Sequence, residues 1–191
     1  MALTKEQVLK QYFGYDKFRP LQADIIDWVL YGQDCMVLMP TGGGKSLCFQ
    51  VPALMMQGIT IVISPLIALM HDQVQALQAN GIPSAYINSS LSGTERFAIE
   101  RQCKAGEIKL LYISPEKLFS NGYLDWIKSL QVSMVAVDES HCVSVWGHDF
   151  RPEYRRIAEI RPKLKSVPVI ALTATATPKV VEDIQEQLGF K

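Results

Sequence analysis

Apolar runs of strand length alternate with longer stretches of helical periodicity along the whole chain. The runs predict strands at 35–39, 59–63, 84–88, 109–113, 132–137 and 167–172. Several of them are almost continuously apolar, as in "ITIVI" and "VSMVAV". Such runs are typical of strands that are buried on both faces of a parallel sheet.

The stretches between these runs predict helices at 45–56, 66–79, 93–105, 115–130 in pieces, 153–160 and 178–188. Two further helices are predicted before the first strand, one opened by a capping box of Thr4 and Gln7, the other bounded by Pro20 and Gly32. The alternation predicts an α/β fold, with a parallel sheet covered by helices on both faces. We expect one domain over 1–191. Ligands of such sheets bind beyond the carboxyl ends of the strands, where the polar motifs of this chain fall.

One uncharged stretch, from Ser46 to Met70, is long enough to cross a bilayer. Pro52, Gly58 and Pro65 interrupt it, so we interpret it as a helix end, a buried strand and the start of the next helix. The N-terminal segment "MALTKEQVLK" has no apolar signal core. We therefore expect no membrane partner and an intracellular protein, in the cytoplasm or nucleoid of a bacterium or the nucleus of a eukaryote.

Composition narrows the classes of partner. The chain has 191 residues, 48% of them hydrophobic, and a formal net charge of zero, so nucleic-acid binding would have to be local. Residues 151–165 carry six basic side chains against two acidic ones. A solvated helix face is the alternative interpretation of that run. The four cysteines show no C-x-x-C spacing, which favours free thiols in a reducing compartment.

The segment "MPTGGGKS", residues 39–46, follows the first predicted strand and precedes a helix. Glycines let backbone N–H groups approach phosphate oxygens, a lysine can reach the β- and γ-phosphates, and a hydroxyl can bind Mg²⁺. The candidate nucleotide-binding residues are Thr41, Gly42, Gly43, Gly44, Lys45 and Ser46. Met39 replaces the first glycine of the usual phosphate-loop pattern, and the chain has no N-K-x-D or T-K-x-D tetrapeptide. Both observations argue against a GTPase.

An acidic pair, Asp138 and Glu139, directly follows the predicted strand 132–137. Opposite a phosphate loop, the first carboxylate can face Mg²⁺ together with Ser46, and the second can orient and deprotonate the attacking water. A zinc site made of Asp138, His141, Cys142 and His148 is the alternative, although its spacing fits no familiar pattern of ligands.

These motifs together resemble those of superfamily 2 helicases. "DESH" (138–141) is similar to their DEAH and DEAD boxes, with Ser140 where the family usually has alanine. The segments at 14–22, 64–73, 112–118 and 171–177 resemble further motifs in family order. The segment "CVSVWGHDFRPEY" (142–154) resembles the aromatic-rich loop of RecQ-type DNA helicases, which DEAD-box RNA helicases lack.

The resemblance implies a RecA-like motor lobe that uses ATP and Mg²⁺. It implies catalytic roles for Lys45, Asp138, Glu139 and His141. Tyr15 would stack on adenine, Arg19 would lie close to it, and Gln22 would hydrogen-bond its edge. With His141, the residues that would couple DNA to the nucleotide are Trp146, His148, Phe150, Arg151, Thr173 and Thr175.

The resemblance further implies 3′-to-5′ unwinding in DNA repair and recombination, with single-stranded and forked or partly duplex DNA as partners. A second RecA-like lobe in cis would supply an arginine finger, so we expect this lobe alone to be nearly inactive. Zinc is expected only in a C-terminal part outside this chain. Two alternatives stay open: a stand-alone nucleotide-binding module without turnover, and a DEAD-box-like RNA helicase lobe.

Overall fold

A six-stranded sheet forms the centre of the computed structural model, which describes residues 1–42 and 44–190. The strands are β1 (Cys35–Leu38), β2 (Ile59–Ile63), β3 (Ser84–Ile87), β4 (Leu110–Ile113), β5 (Val132–Val137) and β6 (Val169–Thr173). Their order is β1-β6-β5-β2-β4-β3, and every pairing is parallel. The predicted α/β fold with a parallel sheet is therefore confirmed.

The helices of the described residues cover both faces of this sheet. They are α1 (Lys5–Val8), α2 (Gln22–Leu30), α3 (Leu47–Met55), α4 (Ile67–Ala79), α5 (Gly93–Lys104), α6 (Pro115–Leu118), α7 (Tyr123–Lys128), α8 (Pro152–Arg155), α9 (Ile160–Lys163) and α10 (Pro178–Gln187). A π-helical turn, Leu9–Phe13, extends α1, and 3₁₀ turns span Ser140–Val143 and Arg156–Glu159. No helix within 1–42 and 44–190 has the length and hydrophobicity required to cross a membrane.

Alternating strand residues build two hydrophobic cores. Ile61, Ile63 and Val137 belong to the core shared with α5, α7 and α10. Val62 and Ala136 belong to the core shared with α2, α3 and α4. Because both faces of the central strands are buried, the strands are apolar at nearly every position, which explains why their sequence signal was so clear.

The chain departs from the predicted single helix at 153–160. The structure instead has α8, a 3₁₀ turn and α9, which ends at Lys163. Pro162 lies inside α9 and has no N–H to donate to the carbonyl of Ala158. A proline in this position favours a tighter, interrupted path over a continuous α-helix.

The N-terminal helices begin close to where the sequence predicted. Thr4 and Gln7 form the predicted capping box, with hydrogen bonds of 2.9 and 3.2 Å. Helix α2 starts at Gln22 rather than at Pro20, because Leu21 has a left-handed backbone with φ of 74°. This turn directs the Gln22 side chain toward the carboxyl edge of the sheet, where the phosphate loop lies.

Candidate functional site

A cavity of about 480 Å³ lies at the carboxyl ends of β1 and β5. Its wall combines the segment before α2, the phosphate loop and the end of β5. The predicted residues that it brings together are Tyr15, Arg19, Gln22, Gly42, Gly44, Lys45, Ser46, Asp138 and Glu139. Thr41 is exposed and is not part of this wall, and Gly43 lies outside the described residues.

Arg19, before α2, and Gln22, its first residue, hold the phosphate loop in place by donating to the loop's backbone carbonyls. The Gln22 amide nitrogen donates to the Gly44 carbonyl at 3.0 Å, and the Arg19 guanidinium donates to the Gly42 carbonyl. Gly44 has φ of 82°, and a Cβ there would lie 2.3 Å from the Gln22 amide nitrogen. Glycine is therefore required at 44 both by its backbone conformation and by this close approach.

Both ends of the Gln22 amide are engaged by protein groups. Its oxygen accepts from the Arg19 backbone N–H at 2.8 Å, and its side chain is 1% exposed. A contact of Gln22 with adenine stays a prediction, and it requires the amide to exchange or share one of these bonds. Tyr15 is exposed on the pocket wall next to Phe13, so a flat ring is accessible to a planar ligand.

We expect Gln22→Ala to reduce the preference for ATP over GTP, measured as the ratio of kcat/KM values in the full-length protein. Loss of one or two hydrogen bonds should lower that ratio about two- to tenfold. Gln22→Glu is the matched control, because it keeps the acceptor for Arg19 but cannot donate to Gly44 or to a base. An unchanged nucleotide ratio in Gln22→Ala would show that Gln22 does not recognise the base.

The acidic pair begins where β5 ends. The Asp138 N–H donates to the carbonyl of Ile63 on neighbouring β2 at 2.9 Å. This bond extends the pairing of β5 with β2 by one residue, to Asp138. Glu139 then adopts a left-handed backbone, φ 51° and ψ 45°. A non-glycine residue in this region is strained, and such strain is concentrated at functional sites. Both residues of the acidic pair line the same pocket wall.

Burial, followed by the charge of Glu139, raises the pKa of Asp138 to about 6. The Glu139 N–H, which donates to the Asp138 carboxylate at 2.9 Å, and the charge of Lys45 oppose this rise in pKa. A divalent cation beside Asp138 would favour its ionised form. Neighbouring Ser140 is fully buried, and its hydroxyl has no hydrogen-bond partner in the part of the chain that the structure describes.

His141 connects the acidic pair to the end of β6. Its Nδ1 lies 2.7 Å from the Thr173 hydroxyl and 3.5 Å from the Glu139 carboxylate. The Thr173 hydroxyl also accepts from the Thr175 N–H at 3.3 Å. Burial lowers the pKa of His141, which favours the neutral imidazole. The geometry thus joins four predicted residues in one chain of polar contacts, while their roles stay predictions.

Residues 144–151, called the aromatic loop below, follow this chain directly. Trp146 is 60% exposed, and the ring of exposed His148 stacks on that of His141 at 4.5 Å. Arg151 forms an ion pair with Asp149 at 3.4 Å. The guanidinium of Arg155 lies 5.6 Å from the ring of half-buried Phe150. The loop therefore exposes aromatic side chains to solvent. Its His148 ring also stacks on His141, whose imidazole lies next to Glu139.

Tyr154 closes this segment against the acidic pair. Its ring is fully buried, and its hydroxyl donates to the Asp138 carbonyl at 3.1 Å.

Behind the pocket, the Gln50 amide donates to the Tyr112 hydroxyl at 3.2 Å, which joins α3 to β4. Sequence reasoning assigned no role to Tyr154, Gln50 or Tyr112. The one available signal was Gln50, a polar residue within the uncharged stretch 46–70.

The structure groups a different set of candidate zinc ligands from the set that the sequence suggested. Among the described residues, ligand atoms of His141, Cys142 and Asp149 lie within 4.8 Å of one another. Asp138 and His148, which the sequence suggested as ligands, are not part of that group. The Cys142 thiol already donates to Asp149 at 3.9 Å, and burial raises its pKa to about 12. The imidazole of His141 is engaged by Thr173, so these groups are satisfied without an ion.

The basic run at 151–165 is mostly engaged in ion pairs. Five of its six basic side chains lie within 4.0 Å of a carboxylate. The pairs are Arg151–Asp149, Arg155–Asp183, Arg156–Glu159, Arg161–Asp34 and Lys163–Asp125. Three of these pairs join the run to distant parts of the chain and two are local, so most of its cations have a carboxylate neighbour.

Residues 19–184 match the family model described as "DEAD/DEAH box helicase". The chain belongs to the DEAD/DEAH box helicase family. The match begins at Arg19 in the pocket wall and extends to Ile184 in α10, so it covers the phosphate loop, the acidic pair and the aromatic loop. The match thus covers every predicted residue of the pocket wall except Tyr15.

Several curated relatives of this DEAD/DEAH domain are named as RecQ helicases. The chain is 52% identical over 193 residues to "ATP-dependent DNA helicase RecQ" of Bacillus subtilis, covering 100% of this chain and 33% of that protein. It is 47% identical over 188 residues to the Haemophilus influenzae protein of the same name, covering 98% of this chain and 30% of that protein. The chain therefore spans about a third of the length of these relatives.

Solved structures share the fold at lower identity. The DUF1998 helicase MrfA bound to DNA matches with a TM-score of 0.77 and 20% identity, covering 99% of this chain and 28% of that one. A helicase domain of Pyrococcus furiosus Hef matches with a TM-score of 0.69 and 22% identity, covering 91% and 36%. At this level of identity the likeness supports the RecA-like architecture alone.

Proposed function

We propose that this chain is the ATP-binding motor lobe of a RecQ-type DNA helicase. The observation that carries the proposal is the link from Glu139 through His141 to Thr173, with the aromatic loop beginning three residues after His141. A protein that only binds a nucleotide has no use for an exposed aromatic segment that stacks on the residue next to Glu139. High identity to RecQ relatives over nearly the full chain adds support.

The residues present fit ATP and Mg²⁺. Two half-buried carboxylates line the pocket beside the phosphate loop, and burial, followed by the charge of Glu139, raises the pKa of Asp138. Ser46 and Asp138 offer the hard oxygen ligands that Mg²⁺ prefers. When bound, the ion would neutralise phosphate charge.

The chain's own residues would then perform separate tasks. Lys45 and the loop N–H groups bind phosphate oxygens, and Glu139 orients a water and accepts its proton. Tyr15 stacks on the base, while Arg19 and Gln22 position the loop through Gly42 and Gly44. His141 holds Glu139 in an orientation that depends on Thr173 and on the aromatic loop.

For the whole protein we propose 3′-to-5′ translocation on single-stranded DNA and unwinding of forked or partly duplex DNA, in repair and recombination. A second RecA-like lobe in cis would supply the arginine finger, and zinc would belong to a further C-terminal part. The proposed location is the cytoplasm or nucleoid of a bacterium, or the nucleus of a eukaryote.

Two other functions would leave different signatures. A nucleotide-binding module without turnover would bind ATP and show no stimulation by any nucleic acid. A DEAD-box-like RNA helicase lobe would be stimulated by RNA more than by DNA. The aromatic loop disfavours the RNA helicase, because the DEAD-box RNA helicases lack that segment.

The test measures ATP turnover and unwinding by the full-length protein. Single-stranded DNA should stimulate turnover more than RNA of equal length and sequence. A duplex with a 3′ tail should be unwound, whereas the same duplex with a 5′ tail should not. Stronger stimulation by RNA, or unwinding only from a 5′ tail, would overturn the proposal.

We expect Trp146→Ala and Arg151→Ala to leave nucleotide affinity nearly unchanged but to abolish most DNA stimulation of turnover. Neither side chain lines the nucleotide pocket, and stacking of one base is worth about 1–3 kcal/mol. Trp28→Ala is the matched control, since Trp28 is similarly exposed at 53% but hydrogen-bonds to Asp34 just before β1. Full DNA stimulation in both loop variants would assign the loop a structural role only.

A further inference from the structure

Helix α10 contacts the aromatic loop at two points. The Lys179 ammonium lies 3.6 Å from the centre of the Trp146 ring, in the first turn of α10. One turn later, the Asp183 carboxylate accepts a hydrogen bond from the Ser144 hydroxyl at 2.6 Å. Residues four apart lie on the same face of a helix, so Lys179 and Asp183 form one polar stripe against the loop.

The hydrogen bond between Ser144 and Asp183 fixes the first residue of the aromatic loop. Ser144 is fully buried, and its hydroxyl also accepts from the Trp146 N–H at 3.2 Å. Asp183 additionally binds the Arg155 guanidinium at 3.4 Å, just beyond the loop. One carboxylate therefore restrains both ends of the segment that carries Trp146.

Helix α10 itself is fixed relative to the nucleotide site. Val180 and Ile184 on its neighbouring face are buried in the core. Thr177 caps its start by accepting from the Val180 N–H at 3.3 Å. Only a few residues separate this cap from Thr173, which contacts His141. A movement of α10 would therefore begin only a few residues from the polar contacts that connect Thr173 through His141 to Glu139.

We propose that α10 is a latch that holds the aromatic loop in its DNA-free position, with Lys179 occupying a face of the Trp146 ring that a nucleobase takes when single-stranded DNA binds. This proposal rests on the proposed DNA-binding role of the loop. Both the ammonium and a base are attracted to the same aromatic face, and they cannot occupy it together. DNA must therefore displace Lys179 from the ring before a base can stack on that face.

The latch would weaken DNA binding, and a DNA titration can measure by how much. Any contact present only without DNA opposes DNA binding by its own free energy. An exposed cation–π contact corresponds to about a two- to fivefold change in an equilibrium constant. In the full-length protein, Lys179→Met should lower the DNA concentration for half-maximal ATP turnover by this factor. Turnover at saturating DNA should stay within about twofold of the wild type.

Two control variants separate the latch from a general charge effect. Lys179→Arg keeps a cation over the ring and should restore the wild-type half-stimulating concentration. Lys128→Met removes an exposed lysine on α7 and should not change it. If Lys179→Met instead raises the half-stimulating concentration, Lys179 binds DNA directly and the latch is wrong.

A second measurement tests the latch in the absence of DNA. Amide hydrogen exchange at Trp146 and Gly147 should be about two- to fivefold faster in Lys179→Met than in the wild type. Equal exchange rates would overturn the latch even if DNA stimulates turnover. Conversely, a wild type that DNA fails to stimulate would contradict the proposed function, while the exchange rates would still decide whether Lys179 restrains the loop.

Discussion

Residues 1–191 alone should hydrolyse ATP about 10³–10⁵ times more slowly than the full-length protein with single-stranded DNA. This is the range of rate that an arginine finger contributes in phosphate-loop enzymes. The lobe should still bind ATP weakly, because Lys45, the loop N–H groups and the base-stacking segment all belong to it. Single-turnover hydrolysis and the affinity for a fluorescent ATP analogue measure the two quantities separately.

Full-length protein carrying Lys45→Ala provides the baseline for this comparison, since it keeps the second lobe but lacks the phosphate-binding lysine. The lobe should turn over near that baseline, and added DNA should not raise its rate. Turnover of the lobe at the rate of the full-length protein would show that this chain contains every group the reaction needs.

Glu139→Gln should lower kcat by about 10²–10⁴ with little change in ATP affinity. A positioned general base contributes a factor of this size, and the amide keeps the shape of the side chain while it cannot accept the proton. The left-handed backbone at 139 is equally strained for either residue, so folding should be preserved. The measurement is steady-state turnover with saturating DNA, beside equilibrium ATP binding.

The matched control for this variant is Glu107→Gln, which neutralises an exposed carboxylate shortly before β4. It should behave as the wild type. A Glu139→Gln protein that retains more than about a tenth of wild-type kcat would assign proton transfer to another group.

The strands were predictable from the sequence because burial on both faces leaves an almost unbroken apolar run. The error at β6 is instructive. Its predicted bounds, 167–172, stop before Thr173, although Thr173 is fully buried and pairs with Leu38. A polar residue at a strand end resembles the start of a loop in the sequence. Its burial becomes apparent only from the partner, His141.

The nucleotide residues were predictable because the phosphate loop and the acidic pair are local patterns with a direct chemical meaning. Contacts between distant segments were not. Lys179 and Asp183 can be placed on one helix face from their spacing, but nothing local predicts Ser144 and Trp146 as their partners. The ion pairs of the basic run, such as Arg161 with Asp34, likewise depend on how distant segments meet in the fold.

Those ion pairs carry a consequence for how the lobe responds to ionic strength. Binding of a cationic side chain to a DNA phosphate releases condensed counterions, and for single strands each such contact steepens the log–log salt slope by about 0.7. Arg151, Arg155, Arg156, Arg161 and Lys163 already have carboxylate neighbours. A phosphate that binds one of these cations would have to compete with its carboxylate neighbour. The affinity of this lobe for DNA should therefore depend weakly on salt, as expected for binding by stacked bases rather than by neutralised phosphates.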